Sequence, residues 1–318
     1  MTALRDRLFM IALLWMDSAY WRTWLGNLVS WKAVQTALST WGALWLIVQT
    51  IRFFFDQTVL PNVAHDSFLV FFAVAATATV IRCKPCVSVA HKLNGRDVTI
   101  EIAIGNIFTF PGAIVVGTNT TFDTRISKAL IDKRSIQGQF TTRHYQDEGQ
   151  LDAEIAAGLS GLSSESLPGQ RAGKSNKYPI GTAVRVNPPN RTAYLTAIAN
   201  LNEHGTASGT FEDLKDALAR LWAFISSRGT KEAIVIPVIG TGFCRLTQTR
   251  EEIVHEIIQS FVAACTERTF ADRLTIVVSP NDVTAHGISL DKLGAYLRHV
   301  CNYTCFTRGD RPPTGTAA

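Results

Sequence analysis

The sequence predicts two parts of different chemistry: an α-helical, membrane-directed segment over residues 1–82, then an α/β domain over residues 97–305. Three observations predict this. Apolar residues are unevenly spread along a chain of 318 residues that is 47% hydrophobic and 18% charged. Beyond Asp97, short β-rich runs alternate with amphipathic helical periods, the pattern of an α/β layer architecture. Several of those runs stop at Gly, Asn and Thr rather than at another apolar residue. The length suits about two domains. The net charge is only +5 and Lys and Arg form no long block, so the charge pattern gives no argument for a nucleic-acid partner.

Residues 1–32 open like a signal peptide, but Trp15, Met16 and Asp17 stand where a small-residue cleavage site belongs. Leu4, Leu8, Ile11, Leu14 and Trp15 recur at helical spacing, and Trp15, Trp21, Trp24 and Trp31 suit a headgroup interface. The segment reads as an amphipathic helix on the inner leaflet or packed on its own copies. Residues 33–51, "AVQTALSTWGALWLIVQTI", carry no charge. With Phe53 to Phe55 they reach the roughly 20 residues a bilayer-crossing helix needs, and Arg52 sits where its stem can snorkel. A second apolar run, Ser67 to Ile81, is shorter. Together they predict a transmembrane hairpin, about 33–55 and 67–82, turning at Pro61 and Asn62. Arg5, Arg7, Arg22 and Lys32 precede it, and Arg82, Lys84, Lys92 and Arg96 follow it. The positive-inside rule then places both ends in the cytoplasm, with Arg52 the one vote against. A buried helical core in a soluble domain is the alternative reading of the same block.

In the second part, Val98 to Ile104, Ala113 to Val116, Thr182 to Val186, Ala233 to Val238 and Leu274 to Val278 read as strands. Thr210 opens a helix whose apolar stripe is Phe211, Leu214, Leu218, Leu221, Trp222 and Ile225. Thr249 and Glu252 form a capping box ahead of Ile253, Ile257, Phe261 and Cys265. Ser289 opens a last helix from Leu290 to about Val300, and residues 306–318 offer nothing to bury, as in a disordered tail. Residues 158–177 read as one Gly/Ser/Lys-rich loop.

Two motifs carry tempting chemistry. Cys83-Lys-Pro-Cys86 and Cys301/Cys305 have metal-ligand spacing, with His91 or His299 in reserve. One pair abuts the apolar segment and the other the tail, so reduced thiols and no metal are expected. "GQRAGKS", Gly169 to Ser175, imitates a phosphate loop, but it is one residue short between its glycines and follows Leu167-Pro168 instead of a strand. Nucleotide hydrolysis through it is not expected.

The loops after the strands are more informative. Gly105-Asn106-Ile107-Phe108, Gly117-Thr118-Asn119 and "IGTGFCRL" each follow an apolar run. In an α/β sheet ligands bind at the carboxyl ends of strands, where glycines let backbone N–H groups approach phosphate oxygens. Gly240-Thr241-Gly242, just ahead of a capped helix, suits a diphosphate.

Here the residues resemble a family. "IGNIF" is similar to the macro-domain "GDI" motif, "AIVVGTN" to its "IVNAAN" strand and loop, and "PVIGTGFCRL" to its late Gly-rich phosphate loop. "NTTFDTRISKALIDKRSIQGQF" followed by "KYPIGTAVRV" resembles the macro-domain effectors of Thoeris anti-phage systems, over roughly residues 97 to 280. Two membrane helices ahead of such a domain resemble the type II arrangement. The resemblance implies a macro-domain-like mixed sheet flanked by helices. It also implies an ADP-ribose-derived signalling ligand rather than a cofactor; in type II systems the expected ligand is histidine-conjugated ADP-ribose. A TIR-domain NAD-consuming enzyme would be the functional partner, and a homo-oligomer would act on the bilayer of the bacterial inner membrane.

By position, the resemblance assigns Asn106 and Ile107 to the adenine end. Asn119, Thr120, Phe122 and Asp123 fall at the distal ribose, with Ser135, Gln137, Gly138 and Gln139 beside it. Gly240, Thr241, Gly242 and Phe243 fall at the diphosphate. Two departures count against a catalytic residue and against the alternative, a membrane-tethered ADP-ribosyl hydrolase. Asn106 stands where the family has Asp, and the Gly-rich ribose stretch is replaced by "TTFDTRISKALIDKRSIQGQF". Asp123 reads either as a base or as the cap of a following helix or a ligand contact, the latter favoured.

Overall fold

The structure, a computed structural model, describes residues 24, 25, 28–54, 63–83, 87–127, 130–167, 173–201, 207–240 and 246–304. The chain divides into two compact units, Met1–Cys86 and Val87–Ala318. The predicted first helix and the predicted tail lie almost wholly outside the described residues.

In the first unit α1 (Trp31–Phe54) packs on α2 (Val63–Arg82), the pair expected from the apolar runs. Trp41 meets Phe72 edge-to-face at 6.1 Å. The transmembrane hairpin is not supported, because among the described residues no helix is long and apolar enough to cross a membrane. Gln35, Thr36, Ser39, Thr40, Gln49 and Thr50 interrupt the apolar surface of α1, and the side chains at 63–68 are not described. Large apolar side chains nonetheless stand exposed on both helices, including Phe53 at 83% and Leu69 at 73%.

The second unit is a mixed sheet flanked by helices. Its strands are β1 (Ser88–Lys92), β2 (Thr99–Ile104), β3 (Ala113–Asn119), β6 (Ala183–Val186), β7 (Ala193–Leu201), β9 (Ile234–Pro237) and β10 (Arg273–Val278), in the order β1-β2-β10-β9-β3-β7-β6. Two short strands, β4 (Glu165–Ser166) and β5 (Asn176–Lys177), form their own ladder inside the stretch expected as plain loop, and β8 (Ala207–Ser208) pairs β7. The five strands from β2 to β7 run parallel, and the outer strands β1 and β6 are antiparallel to their neighbours.

Alternation along the strands divides the core. Ile100, Ile102, Ala113, Val115, Ile234, Ile236, Leu274 and Ile276 share a cluster with Leu214, Leu221, Trp222, Ile257 and Phe261. These last come from α5 (Phe211–Arg228) and α6 (Arg250–Glu267), both opened by complete capping boxes, Thr210 with Asp213 and Thr249 with Glu252. Trp222 is fully buried, donates to Ser260 Oγ at 3.0 Å and meets Phe261 edge-on at 5.3 Å. Residues of this kind stabilise the fold by about 1.5–3 kcal/mol each. The intervening positions Ile114, Val116 and Val235 are equally buried and point to the opposite face. There α3 (Ile136–His144) and α4 (Glu148–Leu159) bury Phe140, Leu151 and Ile155. After β10 come α7 (Pro280–His286) and α8 (Leu290–Tyr303), the latter capped by Ser289 as expected and packed on β1.

Candidate functional site

Because β2, β10, β9, β3 and β7 are parallel, their carboxyl ends share one edge of the sheet. All three loops singled out in the sequence leave from that edge. Asn106 follows β2, Asn119 ends β3, and Gly240 follows β9.

At the β2 exit, the Gly105 amide donates to the Val278 carbonyl at 3.0 Å, so the chain departs still paired with β10. Asn106 caps a short 3-10 turn over Ile107–Thr109, its Oδ1 accepting from the Phe108 amide at 3.0 Å. Asn106 is exposed and Ile107 is buried. One lone pair of the Asn106 oxygen remains for an incoming donor. The connection is then stapled by Arg191, whose guanidinium donates to the carbonyls of Gly112, Phe108 and Phe110 at 3.0, 3.1 and 2.6 Å. Burial lowers the pKa of Arg191, and burial together with Arg191 and Arg143 lowers that of His144, which leans on Phe108.

The β3 exit is a closed hydrogen-bonded knot. Register with β7 slips between Thr118 and Asn119, which carries the strand end out of simple pairing. Asn119 Nδ2 donates to Asp123 Oδ2 at 3.2 Å, and the Asp123 amide returns a bond to Asn119 Oδ1 at 3.1 Å. Thr121 Oγ1 lies 2.6 Å from the same carboxylate, and the Lys174 amide donates to its other oxygen at 2.8 Å. Asp123 is 2% exposed. Phe122, fully buried, sits at φ 53°, a left-handed conformation that is an outlier for an aromatic residue and costs about 1–3 kcal/mol unless its surroundings impose it. Its ring meets Tyr178 edge-on at 5.9 Å. The Thr120 hydroxyl is buried with no hydrogen-bond partner among the described residues.

Asp123 does not cap a helix. The next helix starts thirteen positions on, at Ile136, and Ser135 caps it by accepting from the Gly138 amide at 2.9 Å. Gln137 is buried and donates to the Asp123 carbonyl at 2.6 Å, tying α3 to the knot. A Cβ on Gly138 would lie 2.3 Å from the Asp132 carbonyl, so only glycine fits there. Gln139 is half-buried and donates to the Arg134 carbonyl at 2.8 Å. At the β9 exit Gly240 has φ +82°, and an added Cβ would lie 2.5 Å from Leu246. Thr241, Gly242 and Phe243 lie outside the described residues.

Sequence reasoning missed Lys174, Asp152 and Arg191. The first stood inside the false phosphate loop, and no local pattern marks the other two. Among the described residues no group of three or more His, Cys, Asp or Glu could hold a metal ion. Burial pushes the Cys265 and Cys301 thiols up to about 12 and about 11, which leaves them unreactive. Cys86, Cys244 and Cys305 lie outside the described residues. An open cavity of about 1070 Å³ lies elsewhere, beside α3 and α4, and none of the site residues named from the sequence lines it. Its wall includes His144, Tyr145, Glu148 and Pro189, the last just ahead of the amino end of β7.

A parallel-centred α/β domain with three loops, far apart in the sequence, gathered at its carboxyl edge is built as a ligand-binding domain. The family model described as Thoeris protein ThsA, Macro domain, matches residues 100–279, more than half of the chain. This chain belongs to that family. A curated relative, the Thoeris protein ThsA of Bacillus amyloliquefaciens (strain Y2), is 23% identical over 203 residues, covering 61% of this chain and 66% of that protein. The match thus spans just under two thirds of the relative's length. Among solved structures, the Oceanobacillus iheyensis macrodomain with ADP is 16% identical, with a TM-score of 0.44, covering 68% of this chain and 95% of that one. The Trypanosoma brucei macrodomain in complex with ADP-ribose is 13% identical, with a TM-score of 0.39, covering 63% and 68%.

Proposed function

We propose that this chain is the sensing effector of a Thoeris anti-phage system and takes an ADP-ribose-derived nucleotide along the carboxyl edge of its sheet. The observation that carries this reading is the convergence of Asn106, Asn119 and Gly240 on that edge, in a chain of the ThsA macro-domain family. Asn106 and Ile107 meet the adenine end, and Gly240, Thr241, Gly242 and Phe243 the diphosphate. Asn119 to Asp123, with Ser135 to Gln139, frame the distal ribose.

The role is binding rather than hydrolysis. A general base must reach the proton it takes, whereas the Asp123 carboxylate is buried and already accepts from Asn119, Thr121 and Lys174. The signal, histidine-conjugated ADP-ribose, comes from a TIR-domain enzyme that consumes NAD. Binding favours an assembled homo-oligomer because the ligand has higher affinity for that state than for the resting one. The apolar side chains exposed on α1 and α2 support attachment to the bacterial inner membrane and its disruption on assembly.

The test is calorimetric titration of the full-length chain in detergent micelles with ADP-ribose and with histidine-conjugated ADP-ribose, the same samples being checked for ligand breakdown. Tight binding of the conjugate without turnover is expected. Turnover would transfer the protein to the hydrolases, and no binding of either compound would overturn the ligand class.

A further inference from the structure

We infer that Lys174 is a positioning residue for the distal-ribose end of the site, acting by clamping the left-handed turn at Phe122; this rests on the nucleotide-binding reading above. Lys174 belongs to the segment that imitates a phosphate loop. Its donors are turned inward, onto the protein's own carboxylates and a carbonyl. The Lys174 ammonium lies 2.7 Å from the Phe122 carbonyl and 2.7 Å from Asp152 Oδ1, while its backbone amide holds Asp123 Oδ1 at 2.8 Å. One residue therefore grips both the carbonyl of the left-handed residue and the carboxylate of the residue after it. Asp152 is fixed in turn by the Thr124 hydroxyl at 2.5 Å, which ties α4 into the same clamp.

Close approach is built into the neighbour. A Cβ at position 173 would lie 2.5 Å from Asp123 Oδ1, so Gly173 is what lets the Lys174 amide reach that oxygen. Phe122 itself is otherwise held only by its ring and by one backbone bond, from its amide to the Asn119 carbonyl at 3.1 Å. The remaining bonds of the knot, Asn119 and Thr121 to the Asp123 carboxylate and Gln137 to the Asp123 carbonyl, hold its neighbours, so losing the clamp loosens the left-handed turn without dissolving the knot. That relaxation would swing Asn119, Thr120 and Asp123, which are the groups at the β3 exit. It would leave Asn106, stapled separately on the far side of β10 and β9, where it is. The ammonium side chain is one-third exposed, so it stands at the rim of the knot rather than in its centre.

This predicts selective damage. Full-length wild type, Lys174→Met and Asp152→Asn are titrated with ADP-ribose and with AMP, which lacks the distal ribose, and their melting temperatures are recorded. Lys174→Met is expected to weaken ADP-ribose by about tenfold or more and AMP by less than about twofold. Asp152→Asn, which keeps the bond to the Phe122 carbonyl, is expected to weaken ADP-ribose by only about threefold. Equal weakening of both ligands by Lys174→Met, or no weakening, would overturn the clamp while leaving the nucleotide reading intact. Where wild type binds plain ADP-ribose too weakly to titrate, its histidine conjugate takes its place; wild type that binds none of the three compounds would overturn that reading, and the clamp's role with it. If Lys174→Met does not fold, Lys174→Arg carries the test. Its planar fork keeps the charge but misplaces the point contact, so the same selective loss at reduced size is expected, and none would refute the clamp.

Discussion

Two asparagines end or follow parallel strands of one sheet, and the structure treats them in opposite ways. Asn106 is exposed, caps a single turn through its own oxygen, and depends on Arg191 to hold the chain beyond it. Asn119 is buried and bonded to Asp123 in both directions, inside a knot that draws on α3, α4 and the segment at Lys174. One exit is an open bracket and the other a set frame. The difference teaches that position at the edge alone does not tell a contact residue from a supporting one; the satisfaction of its hydrogen bonds does.

The comparison breaks most visibly at the knot. Asp123→Ala strands the Asn119 side-chain amide and the Lys174 backbone amide in a buried site, leaves the Thr121 hydroxyl only its 3.1 Å bond to Asn119 Oδ1, and is expected to destabilise the domain by about 3–5 kcal/mol. Denaturant titration measures it, and a loss no greater than that of Asn106→Ala would abolish the distinction drawn here. Next comes Arg191→Met, which leaves three carbonyls without their donor and should destabilise by about 2–3 kcal/mol. Its ADP-ribose affinity should fall together with its AMP affinity, because the adenine side loosens. Asn106→Ala removes only an exposed cap and should lower stability by less than about 1 kcal/mol, with its main effect on adenine-nucleotide affinity.

The smallest expected effect is a pH dependence. His144, against Phe108 and Phe140, has its pKa lowered by burial and then by Arg191 and Arg143. The unfolded chain therefore takes up the proton first as pH falls through about 6.5. The contribution is fully present above that value and is lost between it and the lowered folded pKa. Melting curves at about pH 7.5 and about pH 5.5 should show a drop that His144→Gln partly removes.

Much of the frame was legible in the sequence. Each of the five runs read as strands is one, and all three helix starts were marked by their caps, since capping and alternation are local. The inner strand Ala193–Leu201 was not legible, because a strand buried on both faces shows no alternation, and this one follows the turn-rich "NPPNRT". Nor was α4, whose Gly149 and Gly158 weaken the helical signal. At the site, Gly240 was read as a glycine the backbone requires, and its φ of +82° is a conformation that favours glycine. Of the roles open to Asp123, the helix cap is the one the structure removes; its bond to the Lys174 amide could not be read, because that partner lies 51 residues on and no local pattern reports a bond of that span.

The strand order has a consequence for how the protein comes into being. β2 and β3 are the first long strands made, yet β9 and β10, which separate them in the sheet, are among the last. A nascent chain that has emerged only as far as Leu201 owns both asparagines and has nothing to set between them. Its two apolar helices, α1 and α2, are already synthesised, but the carboxyl edge of the sheet is not. The order of translation therefore leaves this edge of the sheet incomplete until β9 and β10 have left the ribosome, and its closure rests on slow, long-range pairing.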